Sequence, residues 1–185
     1  GPLRMGAGFA AMWYRFGKSG SLRVEAHAEL AAEGRFRVYC AAPDYGQGTN
    51  TTLTQLAAEV LGVPVAEVEL VNADTARVPD SGVQGASRAT YWVGNAVARA
   101  AVSLRHRVAA AASELVGCPP DDVAFAGGAA TSQREPSQRV PLAEVAVELD
   151  RLGVPRRVQA AFDPSPLFPA ETRPSYTPHF TTGAH

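Results

Sequence analysis

The chain has 185 residues, 46% of them hydrophobic and 19% charged, which is enough for one real core or two small lobes and is not the make-up of a disordered chain. A formal net charge of −1 gives no electrostatic case for binding nucleic acid or an acidic membrane surface. No apolar run approaches the ~18 residues that a membrane-spanning helix needs.

Three strand-like runs open the chain. Residues 5–15 are apolar and flecked with glycine. Residues 22–30 alternate, with Val24, Ala26, Ala28 and Leu30 on one face and Arg23, Glu25, His27 and Glu29 on the other. Residues 34–41 alternate again, setting Phe36, Val38 and Cys40 against Arg35, Arg37 and Tyr39. The short Glu33-Gly34 link reads as a hairpin turn, so an antiparallel sheet with one covered face is expected.

A loop of glycines and small polar residues, 43–50, then leads into a helix whose inward stripe is Leu53, Leu56, Ala57, Val60 and Leu61. Thr52 and Gln55 have capping-box spacing, and Gly62 and Pro64 are stop signals. Residues 68–71 read as a strand. A second polar loop, 79–87, opens the longest predicted helix, about 88–115, with Val93, Val97, Ala100, Ala101, Leu104, Val108, Ala111, Ala112 and Leu115 as its buried stripe. Gly117 and Pro119 end it.

Beyond it, residues 121–124 read as a short strand, 127–138 as a loop, 141–152 as a helix with Pro141 in its first turn, and 157–162 as a strand. From Asp163 the chain holds five of its 14 prolines and no helical period, which predicts an extended segment or docking arm. The pattern is α+β, with antiparallel strands packed on helices: a domain over 1–162 and an extended tail over 163–185.

Two loops carry the chemistry. Each is rich in small residues and leads into a helix N-terminus, where backbone N–H groups lack internal partners and the helix dipole adds positive charge. Glycines let a ligand approach the backbone, so the combination makes an anion cradle. The first is Gly46-Gln47-Gly48-Thr49-Asn50-Thr51, in which the Gln47 amide, donor and acceptor at once, can reach a ligand. The same residues also suit a plain connecting turn. It is not a P-loop, because no Gly-Lys-Ser/Thr follows. The second is Gly85-Ala86-Ser87-Arg88-Ala89-Thr90, with Ser87 a good N-cap and Arg88 and Thr90 suited either to phosphate or to solvating the helix start.

Other chemistry is sparse. His27, His106, His179 and His185 are scattered without ligand spacing, so no protein-ligated metal is expected. Cys40 and Cys118 stand apart and predict free thiols in a reducing cytoplasm. Gly1-Pro2, with no start methionine, reads as a processed terminus or an excised piece.

Taken in order, Asp44-Tyr45-Gly46-Gln47-Gly48-Thr49, Gln55, Ala58-Glu59-Val60-Leu61-Gly62-Val63-Pro64, Asp74-Thr75, Pro79-Asp80-Ser81-Gly82, Ala86-Ser87-Arg88-Ala89-Thr90 and Gly94-Asn95-Ala96-Val97 resemble the molybdopterin-binding part of molybdenum hydroxylases. That family includes the xanthine, aldehyde, nicotinate and carbon monoxide dehydrogenases. The opening Arg4–Ala10 resembles the strand that enters this region, and Pro174–Phe180 the segment before the family's next strand, so the resemblance covers nearly the whole chain.

The resemblance implies that Gly46, Gln47 and Gly48 contact the pterin dithiolene or an oxo ligand of molybdenum. It places Thr49 and Thr51 near the cofactor's phosphates, and Ala86, Ser87, Arg88, Ala89 and Thr90 around pterin and pyrophosphate. The metal would be held by the pterin's sulfurs, which needs no histidine or cysteine cluster. The cofactor would be molybdopterin, with a lean from composition to its cytosine dinucleotide form. FAD and [2Fe–2S] clusters would sit on partner chains.

The family's general-base glutamate lies in a Gly-x-Gly-Glu segment of a much longer chain, and this sequence has no such segment. Glu59 and Glu114 read as helix-surface residues. The chain is therefore expected to supply part of the cofactor wall in an enzyme that hydroxylates an aldehyde or N-heterocycle carbon with water. The remaining molybdenum-subunit segments and iron–sulfur and flavin subunits would be its partners, with no nucleic acid and no membrane. The alternatives are a non-catalytic relic of the same fold, and an unrelated phosphate-binding α+β domain.

Overall fold

The structure is a computed structural model that describes residues 2–15, 23–85, 87–164 and 180–184. At its centre a four-stranded sheet carries β2 (Val24–Leu30), β3 (Phe36–Cys40), β4 (Val68–Asn72) and β8 (Arg157–Phe162) in the order β4-β3-β2-β8. The β2–β3 hairpin pairs Leu30 with Phe36 and turns at Gly34, which sits at φ +83°. β8 returns antiparallel to β2, from Val24↔Phe162 to Glu29↔Arg157. Two small antiparallel sheets accompany it: β5 (Val123–Ala126), β6 (Ala129–Ser132) and β7 (Arg139–Pro141), and β1 (Ala11–Arg15) with β9 (Phe180–Ala184), the first and last strands in sequence.

One pairing departs from the antiparallel expectation: β3 and β4 run parallel, Phe36 opposite Val68 and Cys40 opposite Asn72. Parallel neighbours need a crossover, and α1 (Thr49–Leu61) supplies it. The crossover brings the ends of β3 and β4 and the start of α1 to one edge of the domain, so both polar loops leave from the same place.

The face of the sheet carrying Val24, Ala26, Ala28, Leu30, Phe36, Val38 and Cys40 is fully covered. Its cover is α2 (Gly94–Val116), flanked by α1 and α3 (Leu142–Arg151). The predicted stripe holds through Ala112, since Val97, Ala100, Ala101, Leu104, Val108, Ala111 and Ala112 are all buried. It fails at Leu115, which is 42% exposed while Val116 next to it is 2% exposed. Small residues on both layers let α2 lie close to the sheet. Gly94 does the same against α1, because a Cβ there would meet Leu56 Cδ1 at 3.0 Å. Each buried Leu or Val contributes on the order of 1.5–3 kcal/mol.

The helix termini differ from expectation in detail. α1 begins at Thr49, not near Thr52, with Gly48 as N-cap in the left-handed region at φ +83°. Thr52 is therefore inside the helix, where its hydroxyl donates to the Gly48 carbonyl at 3.1 Å, and the capping box does not form. The long helix opens with a π-turn, Ala89–Val93, before α2 begins. Ser87 is exposed at φ +54°, one position before the cap, and Arg88 is the N-cap. The loop expected over 127–138 contains β6, whose four residues are all buried but alternate in no apolar–polar pattern. Within the predicted tail, β9 pairs with β1 from Ala11↔Ala184 to Arg15↔Phe180. Residues 165–179 and Ala86 lie outside the described residues. Among the described residues no helix is long and apolar enough to cross a membrane.

Candidate functional site

The two polar loops meet. A cavity of about 600 Å³ is lined by Tyr45, Gln47, Thr49 and Thr52 from the first loop and α1, by Gln84, Gly85 and Ser87 to Thr90 from the second, and by Met12 of β1. Of the residues singled out in the sequence, Gln47, Thr49, Ser87, Arg88, Ala89 and Thr90 line it. Gly46, Gly48 and Thr51 do not, and Ala86 is outside the described residues.

The first cradle is already filled. The Asp44 carboxylate accepts from the backbone N–H groups of Gly46 at 2.9 Å, Gly48 at 3.2 Å and Asn50 at 2.9 Å. These bonds, that from Asn50 foremost, hold the Asp44 carboxyl below its usual range. The groups expected to bind an external anion thus bind an internal one. Gln47 is also committed: Oε1 accepts from Tyr45 N–H at 2.8 Å, and Nε2 donates to the Pro43 carbonyl at 3.1 Å and to Thr49 Oγ1 at 2.7 Å. The sequence reading of this loop as an open cradle is corrected on that ground. Asp44 is visible in the sequence, but not its folding back over the helix it precedes.

The second loop is different. Arg88 is 5% exposed, and its Nη1 donates to the Val83 carbonyl at 3.1 Å. Its Nε and Nη2 are buried and have no hydrogen-bond partner. Burial pushes the guanidinium pKa down, with Asp80 pulling it back up. The Trp92 ring lies beneath it, 5.7 Å from centroid to Cζ. Arg88 lines the cavity, and a buried cation with two unpaired donors is chemistry that suits an oxyanion. Ala89 and Thr90 add the first helical turn, where N–H groups have no intrahelical acceptor. The π-turn widens the helix at this point.

Both loops are tied to the end of β3. Ala41 N–H donates to Ser81 Oγ at 3.3 Å, and the Ala41 carbonyl accepts from Gln84 Nε2 at 3.1 Å. Ala42 is held by Asn72 in the same two-handed way. Asn72 and Gln84 carry no sequence signal, and the motif that holds Ser81 gives it no role, because partners 30 to 43 residues apart leave no local pattern.

A second cavity of about 460 Å³, mainly apolar, adjoins the first across Ser87 and Thr90 and reaches Leu56, Tyr91, Gly94, Asn95 and Ala98. Among the described residues no three His, Cys, Asp or Glu side chains gather as metal ligands. Cys40 and Cys118 are free thiols, and burial raises Cys40 to about 12.

A family model described as a molybdopterin cofactor-binding domain matches residues 1–185. The nicotine 6-hydroxylase large subunit of Paenarthrobacter nicotinovorans is 32% identical over 143 residues, covering 76% of this chain and 17% of that protein. Subunit gamma of the 6-hydroxypseudooxynicotine dehydrogenase complex of the same organism is 30% identical over 122 residues, covering 66% of this chain and 15% of its own length. In structure, quinoline 2-oxidoreductase from Pseudomonas putida 86 superposes with a TM-score of 0.65 at 26% identity, over 85% of this chain and 22% of that one. The chain thus spans about a sixth of the length of these curated relatives.

Proposed function

This chain belongs to the molybdopterin cofactor-binding domains of molybdenum hydroxylases, and we propose that the cavity between its two loops holds the phosphate-bearing side of that cofactor within a larger enzyme. The observation that carries this reading is Arg88, a cavity-lining residue whose buried guanidinium leaves Nε and Nη2 unpaired. The donor set fits the group: one fixed cation for an oxyanion, and the hydroxyls of Thr49, Ser87 and Thr90 with the Ala89 turn around it.

The roles differ from residue to residue. Arg88 binds phosphate oxygen. Ser87, Ala89 and Thr90 shape the helix start around the same group. Gln47 and Thr49 form the opposite wall, with Gln47 held rigid by its own loop. Gly46, Gly48 and Thr51 act one step back: the two glycine N–H groups seat Asp44, and Thr51 stands exposed in the first turn of α1. When bound, the cofactor supplies the two-electron oxidation that puts a water-derived oxygen on an aldehyde or N-heterocycle carbon. The relatives named for nicotine and quinoline support the heterocycle class.

The missing length of the relatives would come from further molybdenum-subunit segments, and iron–sulfur and flavin subunits would carry electrons away. Relatives named as a large subunit and as one subunit of a complex support such an assembly, which two free thiols suit to the cytoplasm. The longer cytosine dinucleotide form is favoured by the second cavity, which continues the first.

The test is molybdenum and pterin content of the native assembly purified from its own cells, with and without Arg88→Met. Molybdenum and pterin in the wild type and their loss from the variant support the reading. Equal content in both removes Arg88 from the site, and an assembly with neither supports a relic fold.

A further inference from the structure

Two glutamines line the cavity, and their hydrogen-bond inventories differ. A carboxamide has two N–H donors and two acceptor lone pairs. Gln47 spends both donors, on the Pro43 carbonyl and Thr49 Oγ1, and one lone pair on Tyr45 N–H. Gln84 spends one donor, on the Ala41 carbonyl at 3.1 Å. A carbonyl only accepts, so that bond also fixes which end of the Gln84 amide is nitrogen. Among the described residues, one N–H and both lone pairs of Gln84 remain uncommitted, on a side chain that is half-buried in the cavity wall.

We propose that Gln84 is the carboxamide that reads the ring edge of the bound pterin, and that Gln47 is a brace of its own loop. The proposal rests on the cofactor reading of the cavity given above. Its chemistry follows from the two anchors. Arg88 takes an oxyanion, and Gln84 offers a donor beside an acceptor, the complement of the pterin's N1 acceptor and 2-amino donor, the edge that a lumazine reverses. A ligand with a phosphate at one end and an aminopyrimidinone edge at the other satisfies both. Gln84 is suited to discrimination because its backbone is part of the loop that Ser81 pins to Ala41 N–H at 3.3 Å, while its own amide grips the Ala41 carbonyl. An anchored polar group loses its partner outright when the ligand lacks the matching edge, and cannot swing to another.

The experiment is a fluorescence titration of the 185-residue chain with 6-hydroxymethylpterin phosphate and with the lumazine of the same shape, in which an oxo group replaces the ring amine. Wild type, Gln84→Met, Gln47→Met and Arg88→Met are compared, each with a thermal melt. Wild type should prefer the pterin about five- to tenfold, the worth of one uncharged hydrogen bond. Gln84→Met should lose that preference and bind the pterin more weakly, with a melt lowered modestly by loss of the bond to the half-buried Ala41 carbonyl. Gln47→Met should melt lower and keep the preference. An unchanged preference in Gln84→Met, with binding abolished by Arg88→Met, overturns the inference while the cavity reading stands. Loss of preference in Gln47→Met alone also overturns it. Failure of the wild type to bind either compound, or binding indifferent to Arg88, overturns the cavity reading and this inference with it.

Discussion

Asn72 holds both backbone polar groups of Ala42: its Oδ1 accepts from Ala42 N–H at 2.8 Å, and its Nδ2 donates to the Ala42 carbonyl at 2.6 Å. The same Nδ2 donates to Asn50 Oδ1 at 2.7 Å in the first turn of α1. One side chain at the end of β4 therefore fixes the end of β3 and the start of the helix whose loop forms half of the cavity. Ser81 and Gln84 do the same for Ala41 from the other loop, so the Ala41-Ala42 dipeptide is the common hinge pin of the site.

Asn72→Ala should lower stability by about 2 kcal/mol, since Ala42 is fully buried and each buried backbone group left unpaired costs about 1–3 kcal/mol. Asn72→Asp should not rescue it, because a carboxylate cannot donate to the Ala42 carbonyl. Urea unfolding of the three proteins decides this. A midpoint for Asn72→Ala equal to that of wild type would mean that water replaces the side chain at no cost.

Arg88→Met should leave the chain as stable as before or slightly more so. The wild type keeps a cation in the interior with two nitrogens unpaired, and an unbranched apolar side chain removes that penalty while still packing on Trp92. Affinity for inorganic phosphate should fall at least ~10-fold, the worth of a charge-assisted hydrogen bond. Thermal melts with calorimetric phosphate titration test both halves. A melting point several degrees lower with phosphate affinity unchanged would make Arg88 a structural cation.

Much of this was legible from the chain, for physical reasons that can be named. β2, β3 and α2 are periodic over seven, five and 23 residues, and a one-sided core imposes that period. Gly117 and Gly62 mark helix ends because both take the left-handed cap, at φ +77° and +74°. The motif series drew attention to two loops that the fold brings together, and six of its named residues line one cavity. What was not legible depends on distance in sequence. Nothing local distinguishes Asp44 closing its own cradle from Asp44 pointing outward, and nothing marks Gln84 as facing the same space as Gln47. The parallel β3–β4 pairing was hidden for a related reason, since a 13-residue helix between two strands fits several sheet orders. β6 escaped because both of its faces are buried, which erases the alternation that reveals a strand.

The acid limb of stability should carry the mark of Asp44. Its folded pKa is lowered, by the Asn50 and Gly46 N–H groups first, so the unfolded chain binds the proton more readily. The stabilisation is fully present above the ordinary carboxylate pKa of about 4 and is lost as pH falls through the lowered folded value. Asp44→Asn should therefore melt below wild type at neutral pH, and the gap should close in acid, where a protonated Asp44 resembles the asparagine. Paired melts across pH 2 to 7 (about the carboxylate range) give the curve. A gap that is constant with pH would show that the carboxylate charge does nothing at the α1 N-terminus.

At Gly34 the β2–β3 turn lies against the first turn of α3, and it sets a stringent test of the packing. It turns the β2–β3 hairpin at φ +83°, a region that costs an L-residue about 1–2 kcal/mol. Space is tighter still than conformation: a Cβ at this position would lie 2.5 Å from the Ala143 backbone nitrogen and 3.0 Å from the Leu142 carbonyl carbon. Those atoms belong to the first turn of α3, whose Leu142, Val145, Ala146 and Leu149 are buried in the core, so the helix cannot retreat without opening that contact. Gly34→Ala should thus destabilise by more than the backbone term alone, roughly 3 kcal/mol or more. Gly153→Ala is the control. It has a positive φ of 67° but nothing within 4 Å of the added Cβ, and should show the conformational cost only. Equal losses in the two variants would mean that α3 does not press on the hairpin as the structure has it.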